Sequence, residues 1–108
     1  VTWKRLEQLG GVTVVQELYD EFIEQTKVDL VYFSNNTVEK KKENILELIH
    51  TLKGTSATLG AMVLAHKLKV LEKELKKGKI STFKEQIQDI SDTFNSLINE
   101  YNKRLNGY

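Results

Sequence analysis

His50, Lys53 and Gly54 stand within five residues of one another in the stretch "LIHTLKGTSATLGA", Leu48 to Ala61. Their types and spacing suit one kind of chemistry. A neutral imidazole, with an ordinary pKa near ~6.5, is a competent nucleophile at physiological pH. An ammonium group one turn away stabilises charge on a transferring phosphoryl group. A glycine inside a helix costs about 0.8–1 kcal/mol relative to alanine, and at i+4 from the ring it opens an approach that meets no side chain. Capture of a phosphoryl group on histidine is the reaction that uses all three features.

That reading depends on where the ring points. Ile45, Leu48, Ile49, Leu52, Ser56 and Leu59 fall on one side of the helix that carries the stretch. With 3.6 residues per turn, His50 projects roughly 150° from the centre of this apolar stripe, toward solvent or a groove. Lys53 at i+3, Gly54 at i+4 and Ala57 at i+7 make the surface beside the ring small on one side and cationic on the other. As an outward lysine, Lys53 is expected to serve transfer and to be replaceable by alanine with little change in stability.

The elements that must position these residues read as helices. The chain has no proline, as uninterrupted helices require. Phe83, Ile87, Ile90, Phe94, Leu97, Tyr101 and Leu105 recur at steps of three and four, which lines one helical face. Leu64, Leu68, Leu71 and Leu75 repeat the pattern in a segment closed by the lysines of "KKGK" and by Gly78. Val15, Leu18, Phe22, Leu30 and Phe33 mark an earlier helix ending at "SNN", and Thr37 is placed to cap the next one. A short initial helix, residues 2–9, carries Trp3, Leu6 and Leu9 and is closed by Gly10 and Gly11. The expectation is four long helices over 12–34, 38–58, 61–77 and 81–105, with the initial helix as a lid. No stretch alternates β-branched and polar residues as a strand would. Short connections favour antiparallel neighbours, so the fold class is all-α: an antiparallel up-down-up-down four-helix bundle, residues 1–108 forming one domain.

Bulk properties narrow the function. The 108 residues suffice for one apolar core, and with no cysteine there is no disulfide framework, zinc-thiolate site or cysteine nucleophile. Lys+Arg 16 against Asp+Glu 15 leaves a net charge of +1, far from the basic excess that drives binding to nucleic acid. The run "EKKKE" reads as a solvated face. No apolar run approaches the ~20 residues that cross a bilayer, so no membrane contact by this segment is expected, and cytoplasm is the default compartment. The chain opens on Val1 rather than methionine, which suggests an excised or processed piece and leaves open a larger parent chain with membrane spans of its own. No glycine-rich nucleotide loop is present, and His50 and His66 lack carboxylate-histidine metal spacing. Neither an ATP-dependent kinase nor a metal site is expected.

The stretch "HTLKGTSATLGA", His50 to Ala61, resembles the signature of histidine-containing phosphotransfer (HPt) domains: histidine, a hydrophobic residue two positions on, Lys-Gly, small residues and a second glycine. The likeness extends from "LGGVTVVQELYDEFIEQ" before the stretch to "LAHKLKVLEKELKKG" after it.

The resemblance implies a phosphorelay module of two-component signalling that has no ATP chemistry of its own. It would take a phosphoryl group from an aspartyl phosphate on a response-regulator receiver domain and pass it to another receiver aspartate. By that likeness His50 is phosphorylated through its distal ring nitrogen, Lys53 screens the phosphate, Gly54 gives the receiver access, and Gly60 lets the helix end turn closely against the next. Glu72 falls where family members place a polar residue that orients the histidine; read from the sequence alone, it equally suits an i,i+4 surface pair with Lys76. Lys69 and Lys76 flank it and either add positive potential or are simply solvated. His66 matches no functional position. No intrinsic cofactor is implied, Mg2+ belongs on the partner receiver, and a monomer is expected, either standing alone or at the cytoplasmic end of a membrane-bound sensor kinase. A non-catalytic, receiver-binding adaptor of the same fold is the alternative.

Overall fold

The computed structural model describes residues 2–106, apart from the side chains of residues 2–7, 9, 10, 12, 105 and 106. All regular structure among the described residues is helical: α1 Thr2–Asn35, α2 Val38–Thr58, α3 Met62–Lys76 and α4 Phe83–Asn106. The expected break between an initial helix and a long one appears inside α1 as a kink at Gly11, whose φ of 79° lies in the left-handed region that glycine enters without a Cβ penalty. The side chains of Trp3, Leu6 and Leu9, and that of Leu105, lie outside the described residues.

The inner face of α1 runs Val15, Tyr19, Phe22, Thr26, Asp29 and Phe33, all buried. These steps of four and three hold one stripe toward the core. The expected core residue Leu18 is instead 38% exposed, because the residue after it, Tyr19, occupies the inward position. Apolarity alone favoured Leu18 and passed over Thr26 and Asp29. Thr26 satisfies its hydroxyl by donating to the Phe22 carbonyl at 2.7 Å. From α2 the core takes Ile45, Ile49 and Leu52, from α3 Leu64, Leu68, Leu71 and Leu75, and from α4 Phe83, Ile87, Ile90, Phe94 and Tyr101. Tyr101 stacks on Tyr19 with ring centroids 5.0 Å apart, and the Tyr19 hydroxyl donates to the Leu59 carbonyl at the end of α2.

The turn between α2 and α3 is closed by backbone bonds, besides the Tyr19 hydroxyl on the Leu59 carbonyl. Gly60 N–H donates to Ala57 at 3.1 Å and Ala61 N–H to Ser56 at 2.8 Å. With Gly60 at φ 83°, this is the Schellman arrangement, in which a left-handed residue lets the chain reverse and satisfy the last carbonyls. The end of α3 repeats it: Gly78 has φ 80°, Gly78 N–H donates to Leu75 and Lys79 N–H to Glu74. At the start of α2, Thr37 is the N-cap residue in an extended conformation, but its side chain makes no capping bond. Its carbonyl accepts from Lys41 N–H instead, at 3.0 Å. The start of α4 is Phe83, two residues beyond the expected 81, with Gln86 N–H bonded to the Thr82 carbonyl.

Asp29 is the one acidic side chain buried on α1 among the described residues. Burial pushes its carboxyl above the ordinary carboxylate range, and the hydrogen bond from Gln25 Nε2 at 3.0 Å offsets only part of that. A raised folded-state pKa means that the folded protein binds this proton more tightly than the unfolded chain. The contribution is therefore fully present below the unfolded pKa and is lost as pH rises through the folded one. Asp29→Asn keeps an acceptor for Gln25 and removes the buried charge. Its urea midpoint should exceed the parent's at pH 7, and the gap should close toward pH 4.

Candidate functional site

The surface of α2 opposite its buried stripe carries His50, with 67% of its side chain exposed. The ring projects outward because Ile45, Ile49, Leu52 and Ser56 take the inward positions of the same helix. It is nevertheless held. His50 Nδ1 lies 2.9 Å from Glu72 Oε2, across the interface with α3. His50 stands ten residues before Gly60 and Glu72 twelve after it, so the reversal at Gly60 brings them level.

Glu72 is the hub of the site. Only 7% of its side chain is exposed, Lys53 Nζ donates to its Oε1 at 2.7 Å, and Lys76 Nζ stands 3.6 Å from Oε2. Burial acting alone would raise its pKa. The hydrogen bonds from Lys53 and His50 and the charges of Lys53 and Lys76 outweigh burial and hold the carboxyl below its ordinary range. An ionised carboxylate can only accept. Nδ1 of His50 must then carry the hydrogen, and in the neutral ring the lone pair is left on Nε2. The arrangement can present a nucleophilic nitrogen of defined tautomer on an exposed ring.

Gly54 is exposed, and a Cβ built there would meet nothing within 4 Å. It lines a groove between α1 and α2 with Thr51, Thr55 and Thr58 on one wall and Leu18, Glu21, Gln25 and Val28 on the other. Leu18, displaced from the core, thus forms part of the wall of the groove that Gly54 lines. Gly60 supplies the turn already described. Lys76 joins the Glu72 cluster, whereas Lys69 is exposed and makes no ion pair among the described residues. His66 is exposed at a separate shallow groove between α3 and α4, with Lys67, Val70, Gln86 and Asp89. No group of three or more His, Cys, Asp or Glu side chains among the described residues could hold a metal ion. No helix there is long and apolar enough to cross a membrane.

Two features lie beyond what spacing reveals. The first is the burial of Glu72, which a surface pair with Lys76 would not have; the pair exists, but on a carboxylate that also accepts from His50 and Lys53. Position 72 does follow Leu71 and precede Leu75, so it borders the α3 stripe, and that was the available signal. The second is the commitment of Lys53, 27% exposed, to that carboxylate.

A family model described as the Hpt domain matches residues 17–103 of the chain. No curated protein matches. No solved structure matches either.

The ion pair changes what is expected of Lys53. Its removal takes a charge-assisted hydrogen bond from a buried carboxylate, and such bonds contribute about 1.5–3 kcal/mol. Because Lys53 is partly exposed and Lys76 and His50 remain, Lys53→Ala should destabilise by on the order of 1 kcal/mol. Lys69→Ala, outside the cluster, should leave the urea midpoint unmoved, and equal midpoints for the two variants would refute the structural role of the Lys53 bridge.

Proposed function

The chain belongs to the Hpt domain family, whose members are phosphotransfer modules of two-component signalling that interact with receiver domains of response regulators, and from that premise we propose that His50 is its phosphoryl carrier. The observation that carries this reading is an exposed imidazole whose Nδ1 is bonded to a buried carboxylate, leaving Nε2 as the nucleophile. The lone pair of Nε2 attacks the phosphorus of a receiver aspartyl phosphate, the acyl oxygen–phosphorus bond breaks, and the aspartate leaves as carboxylate. Transfer to a second receiver runs the same steps in reverse. The module holds no ATP chemistry in this reading, and the Mg2+ that neutralises the transferring group sits on the receiver.

Each neighbour has a distinct part. Glu72 is a positioning residue that sets the ring's tautomer and orientation. Lys53 lies one turn from the ring and lends positive charge to the phosphoryl group, at the cost of loosening its bridge to Glu72; Lys76 then keeps the carboxylate paired. Lys69 adds only distant potential. Gly54 leaves the space through which the receiver comes within the ~3–3.5 Å that in-line attack requires, and the groove beside it extends that approach onto α1. Gly60 sets the reversal that brings Glu72 to His50.

The same reading makes residues 1–108 one domain, an up-down-up-down bundle with the segment before Gly11 as its lid. Short connections at 36–37, 59–61 and 77–82, and the packing of α1 on α2, α2 on α3, α3 on α4 and α4 on α1, support it. The domain acts as a monomer in the cytoplasm, where receivers reside.

A phosphorylated receiver should label the domain on one residue, through a bond stable to base and lost in acid, as a phosphoramidate is. His50→Gln should abolish the label with helical circular dichroism unchanged; label on His66 or on a serine would refute the assignment. Gly54→Gln should hold or raise the melting temperature, since an exposed helical glycine costs up to about 1 kcal/mol, while transfer timed from the receiver falls by tenfold or more. Unfolding of this variant would show instead that the glycine serves packing.

A further inference from the structure

The hydrogen that Glu72 holds on Nδ1 has a consequence for the phosphorylated state. When Nε2 uses its lone pair to form the bond to phosphorus, the ring becomes a phosphorylated imidazolium for as long as Nδ1 keeps its proton. Loss of that proton would give a neutral phosphorylated ring. Its departure from phosphorus would then have to produce imidazolate, a far poorer leaving group. Which form persists at neutral pH depends on the groups around Nδ1.

From α3, the Glu72 carboxylate accepts from Nδ1 at 2.9 Å, with Lys76 Nζ 3.6 Å from the same oxygen. From α2, Lys53 Nζ is 2.7 Å from the other oxygen, and Glu47 stands one turn before the ring. From α1, Asp20, Glu21 and Glu24 line the groove that Gly54 shares, and Lys69 on α3 is exposed. Among the described residues the Glu72 carboxylate alone bonds the ring. It does not take the proton for itself, because two lysines stabilise it as an anion. It is also buried, where its attraction for an adjacent imidazolium is screened less than at the surface.

We infer that Glu72 keeps Nδ1 of His50 protonated after phosphorylation, so that the phosphoryl group always leaves from an imidazolium and onward transfer needs no proton movement. The step balances. Entry forms the nitrogen–phosphorus bond and releases aspartate carboxylate. Exit breaks that bond, returns its electron pair to Nε2 and restores the neutral ring, with the Nδ1 proton in place throughout. Glu72 thereby acts on the lability of the carried group as well as on its capture. The inference rests on His50 as carrier and adds a role that orientation alone does not entail.

The experiment uses the whole chain labelled with 15N in its histidine rings and phosphorylated with phosphoramidate, which needs no receiver and also modifies the exposed His66 as an internal reference. The Nδ1 shift of each phosphorylated ring is followed against pH, with the rate of transfer to an unphosphorylated, Mg2+-loaded receiver. Phosphorylated His50 should lose its Nδ1 proton at least about one pH unit above phosphorylated His66, a tenfold difference in proton concentration. Its transfer rate should stay level over that added unit. In Glu72→Gln, which retains an acceptor but no charge, both the titration and the fall in transfer should move back to that of His66. Coincident titrations of the two rings in the parent protein overturn the inference, and do so without any variant, should Glu72→Gln fail to fold. An unmoved titration in folded Glu72→Gln overturns it as well. A receiver that phosphorylates His50 while the titrations coincide separates this failure from failure of the carrier assignment, for which the receiver label is the test.

Discussion

Glu72 stands at the edge of the apolar stripe of α3 with its carboxylate withdrawn from solvent, and a charge placed there costs several kcal/mol unless it is paired. Three side chains meet it: His50 and Lys53 from α2, and Lys76 one turn on along α3. The carboxylate needs these donors to remain charged, and His50 needs the carboxylate to hold one tautomer. The same group therefore ties α2 to α3 and prepares the ring. Removing a donor from such a set affects fold and chemistry together, because the carboxylate left behind is buried and short of a bond.

The cluster forms only if the two helices are in register. Gly60, in the left-handed region, allows a reversal closed by backbone bonds, and its place in the chain sets which residues face each other across α2 and α3. A helix rises 1.5 Å per residue, so insertion of one residue into α3 between the turn and Glu72 would shift the facing levels by about that distance and rotate Glu72 by roughly 100° about the helix axis. Either change would take Glu72 off the ring. The turn glycine, remote from the ring, is thus part of what orients the imidazole.

Stability and access are divided between the two faces of α2. The inner face is Ile45, Ile49, Leu52 and Ser56, and the Ser56 hydroxyl finds no partner among the described residues. Its small size at a buried position fits close packing better than hydrogen bonding, which makes it the counterpart of Gly54: one small residue lets a helix approach from within, the other leaves room without. On α1 the analogous division is imperfect. Asp29 lies inside and Leu18 outside, so the helix gives up some packing and leaves an apolar side chain on the wall of the groove that Gly54 lines.

Much of this was legible in the residues. Helical periodicity is a local property, so the stripes of α3 and α4, the break at Gly11, the glycine-terminated end at Gly78 and the outward direction of His50 all follow from spacing and φ preference, whereas the turn at Gly60 was implied by the family resemblance. A nucleophilic imidazole beside a lysine and a bare patch of helix also follows, since i+3 and i+4 neighbours are fixed by the turn. What spacing does not contain is the rotation of each helix about its own axis once it packs. That rotation put Tyr19, Thr26 and Asp29 inward and Leu18 outward, against the apolar ranking of the residues. It also buried Glu72 and drew Lys53 onto it, converting an outward lysine and an apparent surface pair into one shared ion cluster. Burial and pairing are decided between helices distant in sequence, where the cost of an unpaired charge selects the partners. Only the tertiary structure holds that information.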